Sequence, residues 1–147
     1  MKIIKRTAYC FLAIAVVLNL IWNAITCLNV APACDYINSH ALEKSHGRAA
    51  WHVLRALNAG GKDMILVPAW VYKYYLYISD FDYVEDYAKY VPEKGDIVVF
   101  PMTWKHPMGH VAIWNGKQWV SDYMQKSIYI DDDYKGVEYI VYRNVFK

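Results

Sequence analysis

The stretch that most constrains this chain is residues 93–125, EKGDIVVFPMTWKHPMGHVAIWNGKQWVSDYMQ. A turn at Pro92-Glu93-Lys94-Gly95 leads into Asp96-Ile97-Val98-Val99-Phe100, a β-rich run stopped by Pro101, which has no N–H to give to a ladder. A loop with a second proline then reaches Gly109-His110, and His110 starts the run Val111-Ala112-Ile113-Trp114. Asn115-Gly116 follows, the strongest short hairpin signal, because a type I′ turn needs positive φ at both central positions. The return strand is expected over residues 117–121, ending in Asp122. One histidine thus opens the hairpin and one carboxylate closes it at the same end, as a base and its orienter would.

The register supports that pairing only in part. A two-residue turn sets Trp114 against Lys117, His110 against Ser121 and Asp122 against Gly109. Alternation along the strands then points His110 and Asp122 to opposite faces. Asp122 reaches the imidazole only where a bulge or strand end re-aims it. On the hairpin alone, a half-buried histidine beside a turn aspartate explains the pattern better.

The N-terminus carries Lys2, Lys5 and Arg6 ahead of an apolar run from about Ala8 to Val30, then Ala31-Pro32-Ala33. A basic n-region, an apolar h-region and an A-x-A-like site together read as a signal peptide over residues 1–33. The run is also close to the roughly 20 residues that span a bilayer, so an uncleaved signal-anchor in an inner membrane is the alternative, although Asn19, Asn23 and Asn29 suit a permanent span poorly. Basic residues stay inside, so the rest of the chain is expected to be exported, into or facing the periplasm. Sixteen Lys and Arg against fourteen Asp and Glu leave a net charge of +2, which excludes a nucleic-acid partner. Cys10, Cys27 and Cys34 all precede the body of the chain, so there is neither a disulfide framework nor metal-ligand spacing.

Residues 34–147 read as one small domain without repeats or linkers. Residues 35–42 suit a short helix. Ser45-His46-Gly47-Arg48 is a polar break, and Ala50, Val53, Leu54 and Leu57 then recur at helical spacing up to Gly60-Gly61. That helix begins at Gly47 or Arg48, so free N–H groups and positive dipole surround position 49. A thiol there would have a lowered pKa and act as a nucleophile; the residue is alanine. Residues 70–78 suit either a helix or a strand. Asp80, Asp82, Glu85 and Asp86 read as a solvated loop face, Asp131-Asp132-Asp133 as an exposed turn, and residues 137–145 as a last strand. Three consecutive aspartates lack the alternate spacing of a calcium loop. His106 precedes His110 by four, but Pro107 between them removes the helical geometry of a zinc pair. No metal or other cofactor is expected.

Taken in order, Ser45 to Ala50 with Asn58-Ala59-Gly60-Gly61, then Lys94 to Phe100, Gly109 to Trp114 and Trp119 to Gln125, the chain resembles one family. It is similar to the small papain-like cell-wall amidases of CHAP and NlpC type, especially type VI secretion amidase effectors and phage lysins. The resemblance runs from about Tyr36 onward and is weakest over residues 64–91. It implies an α+β, papain-like core of N-terminal helices packed on a small antiparallel sheet, with peptidoglycan as substrate and a cognate inhibitor or immunity protein as partner. It also implies a Cys-His-Asp mechanism in which a thiolate at the helix start attacks a stem-peptide amide, His110 is the general base and Asp122 orients it. Trp104, Trp119, Ser121 and Gln125 would line the substrate groove.

Ala49 stands where the family has its cysteine, and loss of a triad nucleophile costs on the order of 10⁶-fold in rate where it has been measured. Three accounts are open: a deliberately inactivated enzyme, a natural pseudoenzyme that binds peptidoglycan without cutting it, and a replacement nucleophile at Cys34. The first is favoured. Cys34 lacks the helix-start context that would activate it. A non-catalytic cell-wall binding protein is the competing class of function, since a groove lined by tryptophans binds whether or not position 49 reacts.

Overall fold

A computed structural model describes residues 2–145. Four helices, α1 (Lys2–Ile25), α2 (Val30–Ser39), α3 (Ala49–Ala59) and α4 (Tyr72–Tyr77), accompany five strands, β1 (Phe81–Tyr83), β2 (Ile97–Phe100), β3 (His110–Trp114), β4 (Trp119–Val120) and β5 (Ile140–Asn144). The strands form one antiparallel sheet in the order β1-β5-β2-β3-β4, so the chain is α+β as expected. β2 alternates between two cores. Ile97 and Val99 join Val111, Ile113, Val53 and Leu57 beneath the helices, while Val98 and Phe100 join Ala112, Trp119, Tyr134 and Val141 on the other face.

The ambiguous run at 70–78 is helical, a 3₁₀ turn (Ala69–Val71) leading into α4. Tyr72, Tyr75 and Leu76 at i, i+3 and i+4 bury against the core, and that period wins over the β-propensity of the tyrosines. The last strand is shorter than read, Ile140–Asn144. β2 is tied to it through Asp96, which is 1% exposed and accepts from Arg143 Nε at 3.0 Å and Nη2 at 2.8 Å.

α3 ends as its two glycines require. Gly61 has φ +94°, and Lys62 N donates to Leu57 O at 3.0 Å, the closure of a Schellman motif. A Cβ on Gly60 would lie 2.5 Å from Leu28 Cδ1 and 2.7 Å from Asn29 O. The segment before α2 passes there, and Asn29 N donates to Gly60 O.

That segment departs from expectation. α2 begins at Val30, so Ala31-Pro32-Ala33 lies inside a helix, and Leu28, Ala33 and Cys34 are core residues. Leu28 N donates to Asp80 Oδ2 at 2.6 Å, and Lys62 bridges Thr26 O and Asp80 with both charged side chains 2% exposed. Asp80 is therefore not part of a solvated acidic face; it closes a buried ion pair that clamps residues 26–29 to the body. Among the described residues no helix is long and apolar enough to cross a membrane. The polar Asn19 of α1 donates to Asp63 O at 2.5 Å.

Candidate active site

Position 49 is the first residue of α3, 8% exposed. His110 is the first residue of β3, paired across the ladder with Phe100 and 4% exposed. Gly109 sets it there: with φ +69° and Phe100 O at 2.7 Å from any added Cβ, only glycine lets the loop enter the strand so close to β2. Ala49 and His110 line one pocket of about 250 Å³ together with Ser45, Gly47, Lys105 and His106. The helix start and the hairpin histidine thus share a cleft.

The hairpin that follows differs from a two-residue turn. Trp114 pairs with Trp119 and Ile113 with Val120, leaving a four-residue loop. The Asn115 carboxamide accepts from Lys117 N at 2.9 Å and Gln118 N at 2.8 Å, an Asx closure that competes successfully with the type I′ form. β4 then stops after Val120. The chain folds back at once, with Ser121 N donating to Tyr123 O, Gln125 N to Trp119 O, and Val120 bridged to Met124.

That reversal decides which side chain meets His110. Gln125 returns beneath the ring, with its Nε2 2.6 Å from His110 Nε2 and 2.9 Å from Ser121 Oγ. Asp122 is carried the other way, to the start of α3. Its carboxylate accepts from His46 N at 2.7 Å, Arg48 N at 3.1 Å, Ser45 Oγ at 3.2 Å and Ser121 Oγ at 3.2 Å. Among the described residues Asp122 makes no hydrogen bond to His110, so the expected Asp–His contact gives way to a Gln–His contact. Asp122 serves the loop that carries position 49.

The electrostatics follow. Burial pushes the His110 imidazole down to about 4; the Asp122 carboxylate offsets part of this, and His106 adds to it. His110 is therefore neutral at pH 7. Burial opposes ionisation of Asp122, but the Arg48 and His46 amides and the Ser121 and Ser45 hydroxyls outweigh it and hold the carboxyl below its usual range. His52, one turn along α3 and 5% exposed, is also pushed down by burial, and its Nδ1 has no partner among the described residues.

The other expected site residues separate. Trp104 is fully exposed. Trp119, Ser121 and Gln125 are at most 4% exposed, so they support the site from within and offer a ligand no surface. Cys34 is completely buried, with burial pushing its thiol up, which removes it as a replacement nucleophile. His106, Asp131 and Asp133 bring one ligand atom each within 4.8 Å of one another. Their polar groups are already engaged, His106 with Asp131 and Asp133 with Lys105, each at 2.7 Å, and we assign no metal. Gln125 lay within a quoted motif, but its partner depended on a chain reversal that alternation along a strand does not predict.

No protein-family model and no curated protein matches the chain. Among solved structures, the native effector–immunity complex Tae3–Tai3 from Ralstonia pickettii matches with 30% identity and a TM-score of 0.70, over 78% of this chain and 98% of that chain. The selenomethionine form of that complex matches with 30% identity and a TM-score of 0.67, over 76% and 98%. The chain belongs to the family of the type VI effector Tae3.

Proposed function

We propose that this chain is a peptidoglycan amidase of the type VI effector class whose nucleophile position is occupied by Ala49, so that it holds stem peptides without cutting them. The observation that carries the reading is that Ala49 and His110 line one pocket, with Gln125 buried behind the histidine. A cysteine at 49 would sit in the first turn of an 11-residue helix, where the dipole favours a thiolate. Neutral His110 is in the state needed to take the thiol proton. As the amide stands, Gln125 Nε2–H donates to His110 Nε2 and the ring proton lies on Nδ1; turning the amide over would put its oxygen toward the ring, hold the proton on Nε2 and leave Nδ1 as the base. The thiolate would attack the amide carbonyl, and the imidazolium would return the proton to the leaving amine. Asp122 contributes by fixing the 45–48 loop and by its charge, which favours the imidazolium.

Action in the periplasm and an immunity protein as partner belong to the same proposal, supported by the effector–immunity relatives. The test is muropeptide analysis of the full chain against Ala49→Cys. New free amines from Ala49→Cys, lost again on His110→Ala, support a silenced amidase. An Ala49→Cys protein that stays inert while both forms pellet with cell wall refutes it in favour of a binding protein.

A further inference from the structure

Next to the cleft of Ala49 and His110 lies a second pocket of about 340 Å³, and the two meet at Gly47 and Met108. Trp51, Leu66, Val67, Pro68 and Met108 give it apolar walls, and its one charged lining residue is Arg48. Trp51, Leu66 and Met108 are all exposed, an unusual concentration of wet apolar surface beside a candidate active site.

Arg48 is exposed, and its side chain makes no hydrogen bond or ion pair among the described residues. The other charges near the cleft are spent: Lys105 on Asp133, His106 on Asp131, and Asp122 on the backbone amides of the helix start. Arg55 also approaches Trp51, 5.7 Å from the ring centroid, but its Nε is turned to the Tyr36 hydroxyl. An unpaired guanidinium against aliphatic and indole surface matches a group that is itself half carboxylate and half alkyl.

We propose that this pocket is a subsite for a peptide residue bearing a free carboxylate on a short aliphatic chain, with Arg48 clasping the carboxylate and Trp51, Leu66 and Met108 covering the alkyl part. The proposal rests on the peptidoglycan reading above. Stem peptides carry such groups at a γ-linked glutamate, at a diamino acid and at the C-terminus, and the shared chemistry is the carboxylate.

Because position 49 is alanine, binding is measurable on the full chain without turnover. Calorimetry would use a synthetic stem tetrapeptide and forms of it amidated at one carboxylate at a time. Amidation at the recognised position is expected to weaken binding about 10- to 100-fold, the range of a charge-assisted contact, and thereby to identify which carboxylate it is. Arg48→Gln should bind the free-acid peptide equally weakly and be indifferent to that amidation. Leu66→Glu, which sets a carboxylate in the wall and leaves Arg48 untouched, should weaken the free acid more than its amide. Arg48→Gln binding every peptide as the parent does overturns the subsite alone. A parent that binds none of the peptides overturns the peptidoglycan reading and the subsite with it.

Discussion

Asp122→Ala separates the two roles this aspartate could have. Its carboxylate is completely buried and accepts from two backbone amides, His46 N and Arg48 N, and from two hydroxyls. A hydrogen bond to a charged acceptor contributes about 1.5–3 kcal/mol net. His46 and Arg48 are exposed, so their freed amides regain water, and the lower end of that range applies to each. The serine hydroxyls can rotate to other partners and add little. Asp122→Ala is thus expected to destabilise by about 3 kcal/mol, which at 2–4 °C per kcal/mol for a chain of this size lowers Tm by roughly 6–12 °C. Asp122→Asn keeps an oxygen for the two amides but loses the charge, and should cost about 1–2 kcal/mol.

Urea and thermal unfolding of the full chain measure the stability effects, and kcat in an Ala49→Cys background measures the chemistry. There Asp122→Asn should retain most activity while Gln125→Leu loses most of it, because Gln125 is the group that touches His110. The reasoning fails if Asp122→Ala changes stability by less than 0.5 kcal/mol, the scale of an ordinary surface substitution. It fails equally if Asp122→Asn abolishes turnover at unchanged Tm while Gln125→Leu turns over normally.

Acid should destabilise the protein early. With the folded pKa of His110 at about 4 against the usual 6.5, the unfolded chain binds more protons between those values, so stability falls as pH drops through that window, by on the order of 3 kcal/mol at its lower end; His52 acts in the same direction, and His110→Gln should flatten the slope in pH-dependent urea titrations. Asp122, held below its usual pKa, contributes stability above pH 3.8 that is lost as pH falls through its folded value. Lys62→Met leaves Asp80 buried without its cation and should cost about 3–5 kcal/mol in the same assay. Residues 26–147 should unfold cooperatively, whereas residues 34–147, stripped of Leu28, Ala33 and the Thr26–Lys62 contact, should not; calorimetric traces of the two fragments check this.

The legible parts of the fold were those in which one local signal had no rival. The apolar period ending in Gly60-Gly61 located α3, and with it position 49. The run 97–100 and the start of β3 at His110 followed from β-branched residues bounded by Pro101 and Gly109. Where two local signals competed, the sequence did not rank them. Asn-Gly favours a two-residue turn, but the Asn115 side chain closes a four-residue loop by itself, and this moved the register of everything beyond it. Likewise Ala31-Pro32-Ala33 satisfies a cleavage pattern and a helical first turn equally well; in the fold it forms the first turn of α2, with Leu28 and Ala33 buried.

The misplacement of Asp122 has the same origin. Alternation correctly kept His110 and Asp122 apart, and the conflict with a base–orienter pair was visible in the sequence. The resolution is that both residues serve the site from opposite sides of a chain reversal. Asp122 goes to the helix that carries position 49 and Gln125 goes to the histidine, so one seven-residue segment, Trp119 to Gln125, fixes both halves of the cleft relative to each other. Shortening or lengthening that segment by one residue should therefore disable the site more severely than substituting any one of its side chains, because it uncouples the helix start from the imidazole in a single step.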